Sequence, residues 1–406
     1  MKNNLKLLLL SALALLACVS ARGEDALTTL LASKAIDPDR TAVYVWDLQS
    51  DCRIAGHNTK LPLTPASVMK CVTTAALCDR LPYNFTYETK VYLQGEQTDS
   101  IFRGKLLVVG SGDPSLGENR YEGHPSFPEE IAKKLGAKGI KRLEAEVTVD
   151  DALFAGPAVP PSWEKADLDK SYGTGFHSFN YGGNRSGKAA VSNPLPLFKT
   201  ALEKACNEKG ITISELKTAP TSKKKTHLLT YQSPYIADIM ASCMYRSDNL
   251  YAEALLRKFG MICGGDGSTA SAASAATRYW ESANFPIDDV VIVDGSGLSR
   301  SNCLTAEFLG EVLKDMEDDP TYVSFFPLTG EEGTVRHFLE GSPLQAYMAL
   351  KTGSMNGIQS YAGYVVDDDF QPTHAVVVIA NGLKNRTKFR EDLARFFISL
   401  FPGHRN

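Results

Sequence analysis

Three short polar motifs stand in order along the 406-residue chain, and together their side chains can perform acyl transfer. The motifs are Ser67-Val-Met-Lys70, Ser247-Asp248-Asn249 and Lys351-Thr352-Gly353. A serine hydroxyl is a weak nucleophile until a neighbouring base removes its proton, and a lysine amine can be that base once its pKa falls toward the working pH. Each motif is common by itself, but the three in this order and context favour a serine-based catalytic site.

The spacing of the first motif predicts a nucleophile and a base. Ser67 and Lys70 are three residues apart, so on a helix their side chains share one face, with Ser67 as nucleophile and Lys70 as general base. Burial and the positive charge of Lys351 would both lower the pKa of the Lys70 amine. We also predict that Ser247 relays a proton to the leaving amine and that Asn249 holds a substrate amide.

The third motif predicts the substrate-binding edge of the site. The charge of Lys351 can attract a substrate carboxylate, and the Thr352 hydroxyl can donate a hydrogen bond to it. Gly353 has no side chain, which lets the substrate lie against the strand. The amide of Ser354 is the expected second oxyanion donor, beside the free amides of the helical turn that contains Ser67.

Apolar patterning and turn residues predict the elements that position these side chains. Thr64 as N-cap and Pro65 at the first helical position predict a buried helix that ends at residue 77. Residues 290–302 are predicted to form a strand that runs into a Gly/Ser turn. The other expected core elements are helices over 24–35, 236–244, 250–260 and 389–400, and strands over 41–47, 52–54, 346–355, 360–366 and 373–382. Strands near both ends of the chain, flanked by helices, predict an α+β core.

The sequence changes character near residue 86, where a second unit is predicted. Strands are expected over 87–95, 104–110 and 142–154, and a helix over 197–210. We therefore divide the chain into a catalytic domain of residues 24–85 and 228–406 and an inserted β-rich domain of residues 86–227.

The first 21 residues have the pattern of a secretory signal peptide. Leu7 to Ala17 is an unbroken run of small and apolar residues, shorter than the roughly 20 residues needed to span a bilayer. Cleavage after Ala21 would release a soluble protein, whereas a lipoprotein box ending at Cys18 would leave a lipid anchor. No later segment of the sequence is long and apolar enough to be transmembrane.

Composition and charge exclude several classes of function. With 43% hydrophobic and 22% charged residues the chain is typical of a globular protein, and a net charge of -4 gives no reason to expect nucleic acid as a partner. No Cys/His pattern has the spacing of a metal site, and no cofactor is predicted. The basic cluster Lys223 to Lys225 is interpreted as a solvated loop.

The motifs and their surroundings resemble the D-alanyl-D-alanine carboxypeptidase/endopeptidase family, the class C low-molecular-mass penicillin-binding proteins. The shared stretches run through nearly the whole chain: LTPASVMK, VVGSGDPSL, VTVDDALF, SPYIADIMASCMYRSDNLYAEALLR, VDGSGLSRSN, LTGEEGTVRHF and LKTGSMNGIQSYAGYV. This family is similar in carrying its extra domains between the first two motifs.

The resemblance implies both a fold and a function. The implied fold is α+β, with a serine β-lactamase/penicillin-binding transpeptidase-like core, in which helices flank an antiparallel sheet, and a β-rich insertion. The implied enzyme is periplasmic, cleaves D-Ala bonds of peptidoglycan stem peptides or cross-links through an acyl-enzyme, and is inhibited by β-lactam antibiotics. Two departures are the cysteines beside the motifs, Cys71 and Cys243, which predict thiol sensitivity, and the short insertion, which predicts fewer subdomains.

Two alternative functions stay open. A β-lactamase-like hydrolase would share the acylation chemistry but needs a well-placed base for fast deacylation, and no compact Glu-containing loop lies between the first two motifs. A catalytically weak cell-wall binding module would be expected to have lost a motif residue, and all of them are intact. The balance of carboxypeptidase and endopeptidase action and the oligomeric state stay open as well.

Overall fold

The computed structural model describes residues 22–215 and 224–402. The predicted signal peptide, the possible lipid anchor at Cys18, and Lys223 lie outside these residues. The strands are β1 (Thr41–Asp47), β2 (Cys52–His57), β3 (Glu88–Thr98), β4 (Ile101–Val109), β5 (Arg142–Asp150), β6 (Arg185–Ser186), β7 (Ala189–Ala190), β8 (Thr212–Ser214), β9 (Lys225–Gln232), β10 (Met348–Met355), β11 (Ile358–Val366) and β12 (Pro372–Asn381).

Ten α-helices alternate with these strands within the described residues. They are α1 (22–31), α2 (Met69–Cys78), α3 (Phe127–Ala137), α4 (Leu195–Glu208), α5 (Ile236–Arg246), α6 (Asn249–Ile262), α7 (Thr269–Ser282), α8 (Ala306–Asp315), α9 (Pro320–Val323) and α10 (Arg386–Leu400). None of these helices is long and apolar enough to cross a bilayer.

The chain forms two compact units. The first takes the chain up to Asp79, Ala241–Asp248 and the chain from Ala276 onward, and the second takes Arg80–Met240 and Asn249–Ala275. The domain boundaries predicted from the sequence, at residues 86 and 227, are not tested by this division into compact units and stay a prediction.

The first unit is built on an antiparallel sheet with strand order β10-β11-β12-β1-β2. Successive side chains of a strand point to opposite faces, and both faces of β1 are covered. Val43 and Val45 belong to the same apolar core as Phe397 of α10. Tyr44, between them, donates its hydroxyl to the Glu311 carboxylate of α8 at 2.9 Å. A sheet with helices on both faces confirms the predicted α+β core.

The second unit is built on a mixed sheet with strand order β8-β5-β4-β3-β9. The β4–β5 and β5–β8 pairs are parallel, and the other two are antiparallel. Helices α3 and α4 contribute Phe127, Phe198 and Leu202 to the apolar core of this unit. The helix α3 was not predicted from the sequence.

Two local predictions are wrong. Residues 290–302 form no strand and contribute only an isolated bridge between Val291 and Cys303. Thr64 does not cap a helix: its hydroxyl donates to the Arg300 carbonyl at 3.4 Å, and its amide and carbonyl are hydrogen-bonded to the side chain of Asn381 at 3.1 and 3.0 Å. A 3₁₀ turn over Ala66–Val68 comes first, and α2 begins only at Met69.

Candidate active site

Ser67 and Lys70 are in direct contact at the start of α2. The Nζ of Lys70 lies 2.9 Å from the Oγ of Ser67 and donates a second hydrogen bond to the carbonyl of Ser296 at 2.7 Å. Lys70 is fully buried, whereas Ser67 is partly exposed. An amine at this distance can take the proton of the serine hydroxyl as the oxygen attacks a substrate.

The backbone is strained at two positions, one directly before Ser67 and one at Ser247. Ala66, directly before Ser67, has a φ of 51°, and Ser247 has a φ of 55°. A non-glycine residue in this left-handed region costs about 1–2 kcal/mol, so the surrounding packing must hold it. Both predicted catalytic serines therefore lie at backbone positions that the tertiary structure imposes.

Lys351 and Ser247 form a second lysine–serine pair. The Nζ of Lys351 donates to the Oγ of Ser247 at 2.8 Å and to the carbonyl of Thr352 at 2.6 Å. Burial and then the positive charge of Lys70 lower the pKa of Lys351 to about 7. A buried amine with this pKa can exchange a proton with Ser247 at neutral pH.

Gly353 places the edge strand β10 directly against the 3₁₀ turn that contains Ser67. A β-carbon on Gly353 would lie 2.7 Å from the Pro65 carbonyl oxygen and 2.9 Å from the Ser67 amide nitrogen. Such distances are closer than van der Waals contact, so only glycine fits. The hydroxyl of Ser360, opposite Gly353 on β11, donates to the same Pro65 carbonyl at 2.5 Å.

The remaining two residues of the predicted binding edge lie on the same strand. Thr352 is partly exposed, and its hydroxyl donates to the hydroxyl of Thr334 at 2.7 Å. Ser354 is exposed and opposite Gln359 on β11. Strand β10 ends its sheet, and residues 327–329 cover the first part of its outer edge: the Thr329 amide donates to the Met348 carbonyl at 2.9 Å, and the Leu350 amide donates to the Pro327 carbonyl at 3.0 Å.

Asn249 lies in the other compact unit. It begins α6, is buried, and donates its side-chain amide to the carbonyl of Tyr172 at 2.9 Å. The contacts in the first unit thus bring Ser67 to Lys70 and Lys351 to Ser247, and the substrate-binding role of Asn249 stays a prediction.

The turn that follows residue 293 also belongs to the site, and sequence reasoning assigned it no role. Its Ser296 carbonyl is the second partner of Lys70. The signal available in the sequence was the density of small residues around an aspartate in VDGSGLSRSN. A backbone carbonyl carries no side-chain signature, so its role could not be read from residue types.

Burial disfavours the thiolate form of Cys71, the residue next to the predicted base Lys70. Cys71 is fully buried, and burial raises the pKa of its thiol to about 12. Cys71 therefore supplies no reactive thiolate that could account for the predicted thiol sensitivity. In the described ranges, no group of three or more His, Cys, Asp or Glu side chains could hold a metal ion.

This arrangement of motifs matches a known family along most of the chain. The model of the D-Ala-D-Ala carboxypeptidase 3 (S13) family matches residues 24–187 and 180–396. This chain belongs to the S13 family. Membership confirms the predicted enzyme class, a serine-type D-Ala-D-Ala carboxypeptidase. Because D-Ala-D-Ala peptides belong to the bacterial cell wall, membership also agrees with an exported enzyme.

Individual relatives and solved structures are also similar to this chain along most of its length. Carboxypeptidase DacB of Mycolicibacterium smegmatis is 27% identical over 364 residues, which are 84% of this chain and 77% of that protein. Penicillin binding protein 4 (dacB) of Haemophilus influenzae has a TM-score of 0.77 at 20% identity, over 94% of this chain and 98% of that one. A peptidoglycan endopeptidase of Bdellovibrio bacteriovorus has a TM-score of 0.58 at 16% identity, over 90% and 92%. These structures confirm the predicted fold.

Proposed function

We propose that this S13 enzyme hydrolyses D-Ala bonds in peptidoglycan stem peptides, and in their cross-links, through an acyl-enzyme on Ser67. The observation that carries the proposal is the buried Lys70 amine, 2.9 Å from the Ser67 hydroxyl. A buried amine that faces a partly exposed hydroxyl is the arrangement expected of a nucleophile and its base.

Acylation uses the groups around Ser67. As Oγ attacks the carbonyl carbon of the penultimate D-Ala, its proton passes to the Nζ of Lys70. The amides of Ser67 and Ser354 stabilise the negative oxygen of the tetrahedral intermediate. The carbon–nitrogen bond then breaks, and Ser247 relays the proton taken up by Lys70 to the leaving amine, which returns the Lys70 amine to its neutral form. Water finally hydrolyses the ester on Ser67 and frees the shortened peptide.

Substrate recognition uses the edge of β10. The Lys351 charge and the Thr352 hydroxyl bind the terminal carboxylate of the stem peptide, and Gly353 leaves room for its backbone. Asn249 holds an amide of the substrate. A peptide whose terminal carboxylate is replaced by an amide should therefore be a much poorer substrate than the free acid.

A β-lactam should acylate the same serine, because its ring carbonyl replaces the peptide carbonyl. The Haemophilus relative has been solved in complex with a β-lactam, which supports this expectation. A slowly hydrolysed acyl-enzyme fits a carboxypeptidase, whereas rapid turnover of penicillin would favour the β-lactamase-like alternative.

Location and domain organisation are proposals as well. We propose a periplasmic enzyme, exported by the signal segment of residues 1–21 and either released or anchored through Cys18. We further propose that residues 24–85 and 228–406 form the catalytic domain and that residues 86–227 are inserted into it.

Fluorescent penicillin tests the central assignment. The wild-type protein should become covalently labelled and Ser67→Ala should not, while Ser274→Ala, an exposed serine on α7, should label like the wild type. Equal labelling of Ser67→Ala and the wild type would refute the nucleophile, and an unlabelled wild type would favour the cell-wall binding module. Release of D-Ala from a stem peptide, compared with cleavage of a cross-linked dimer, then separates the two peptidase activities.

A further inference from the structure

The turn over residues 294–299, here called the Asp294 turn, is built around one buried carboxylate. Asp294 is fully buried, and its Oδ1 accepts hydrogen bonds from the Gly297 amide and the Asn302 side chain, both at 2.8 Å. Its Oδ2 accepts from the Ser299 amide at 2.7 Å. A buried charge is stable only with such partners, so these three donors determine the path of the backbone.

Asn302 reinforces the same path from the far end of the turn. Its side-chain oxygen accepts from the Val293 amide at 2.8 Å, and its side-chain nitrogen also donates to the Ser299 carbonyl at 3.0 Å. The beginning and the end of the Asp294 turn are thus joined through one amide and one carboxylate.

Two consecutive carbonyls of the Asp294 turn face α2. The Lys70 amine donates to Ser296 at 2.7 Å, and the Thr73 hydroxyl donates to Gly295 at 2.8 Å. Lys70 and Thr73 are three residues apart and therefore lie on one face of the helix. The turn therefore binds α2 through the proposed base, Lys70, and through Thr73, which has no assigned catalytic role.

The Asp294 turn also touches the strained backbone before the nucleophile. Gly297 has a φ of 79°, and a β-carbon there would lie 1.9 Å from the carbonyl oxygen of Ala66. The turn therefore contacts both the residue that precedes Ser67 and the amine that activates it. A small change in its shape would move the base relative to the nucleophile.

We propose that Asp294 is a positioning residue for acyl transfer, which shapes the turn so that the Ser296 carbonyl holds the Lys70 amine against Ser67. The inference rests on the proposed function, since it concerns the same nucleophile and base. A lysine side chain has four flexible methylenes, so each acceptor that holds its amine narrows the positions that the amine can occupy. The Ser296 carbonyl accepts a hydrogen bond from this amine at 2.7 Å, which holds the nitrogen within 2.9 Å of the Ser67 hydroxyl.

The test compares Asp294→Asn with Thr73→Val, which removes a hydrogen bond to the same turn without touching Lys70. The rate of acylation by fluorescent penicillin is measured from acid to alkaline pH, together with thermal unfolding. For Asp294→Asn we expect an acylation rate lower by about 10- to 100-fold, the loss typical of a misplaced reacting group. We expect near wild-type acylation for Thr73→Val, even where both variants unfold at similarly reduced temperatures.

The pH profile separates positioning from a general loss of stability. Without the carboxylate charge and a fixed carbonyl acceptor, the ammonium form of Lys70 is less stabilised, so the acid limb of acylation should shift to lower pH. Three other titratable groups are coupled to this site, namely Lys351, Cys71 and Cys243, and they are the same in every variant. Thr73→Val should keep the acid limb of the wild type.

Each outcome decides the proposal. Wild-type rates and an unshifted acid limb in Asp294→Asn would overturn it, and so would an equal loss and shift in Thr73→Val. If Asp294→Asn does not fold, Asn302→Ala decides, because it keeps the carboxylate but removes one of its donors. For Asn302→Ala we expect a smaller loss of the acylation rate than for Asp294→Asn, with the acid limb shifted in the same direction. An unchanged pH profile in Asn302→Ala would overturn the proposal. An unlabelled wild type would refute the proposed function instead.

Discussion

Replacing Gly353 by alanine should disable the enzyme while leaving it folded. The new methyl group would meet three atoms: the Ser360 Oγ at 2.2 Å, the Pro65 oxygen at 2.7 Å and the Ser67 nitrogen at 2.9 Å. The Ser360 hydroxyl can rotate away, but the two backbone atoms can move only if the 3₁₀ turn that contains Ser67 moves. The strand β10 and the turn that carries Ser67 must therefore separate.

The expected size of the effect differs for stability and for acylation. Forcing one methyl group into a packed contact costs about 1–3 kcal/mol of the free energy of unfolding. Acylation should fall by about 10²- to 10³-fold, because the displaced Ser67 amide is an expected oxyanion donor and loss of one such donor has this effect. The activity loss should thus far exceed what the fraction of unfolded protein explains.

The assay is the rate of penicillin acylation beside denaturant unfolding, with two comparison variants. Gly136→Ala in α3 adds the same methyl group where the nearest atom, Ile211 Cδ1, is 3.9 Å away, and should keep full acylation. The double variant Gly353→Ala/Ser360→Ala removes the closest clashing atom but keeps both backbone clashes, so acylation should remain low. Full acylation in either Gly353 variant would refute the steric reasoning.

Three further predictions concern buried groups of the first unit. Because Lys351 has a pKa of about 7 when folded and a lysine has one of about 10.4 when unfolded, the unfolded chain binds more protons between these values. The stability of the wild type relative to Lys351→Met should therefore rise from about pH 7 to about pH 10, by at most about 1.4 kcal/mol per pH unit, and a flat difference in urea unfolding would contradict this. Iodoacetamide should modify the exposed Cys263 of the native protein and leave Cys71 intact in peptide mass spectra; equal modification of both would show that Cys71 is accessible. Tyr322→Phe removes the 3.0 Å hydrogen bond to the Cys71 carbonyl and should lower the free energy of unfolding by about 1 kcal/mol, as measured by denaturant titration.

Local patterning was sufficient for many elements of the first unit. The apolar and β-branched run TAVYVWD predicts β1 with its observed bounds, and the apolar run of residues 373–382 predicts β12 to within a residue at each end. These segments succeed because burial on a sheet leaves a repeated pattern of residue types along the chain. Local patterning failed at residues 290–302, where the apolar residues before Asp294 resemble a strand but the buried carboxylate folds the chain into a turn instead.

The start of α2 shows why element boundaries were harder to predict. Thr64 and Pro65 have the residue types of a helix start, but hydrogen bonds from Asn381, more than 300 residues away in sequence, occupy the Thr64 backbone. A partner at that separation is invisible to any local pattern. The helix begins later than predicted, at Met69, and Ser67 lies in a 3₁₀ turn with a strained residue before it.

The sequence by itself determined which side chains are available for chemistry: a serine and a lysine one helical turn apart, a second serine, and a second lysine followed by threonine and glycine. Residue types carry that information because nucleophilicity and charge belong to individual side chains. Only the tertiary structure decided that the Lys70 amine binds the Ser296 carbonyl and that Lys351 is buried against Ser247. It also decided that Gly353 packs directly against the backbone amide of Ser67. Such contacts depend on backbone atoms and on residues distant in sequence, and these leave no mark in the motifs themselves.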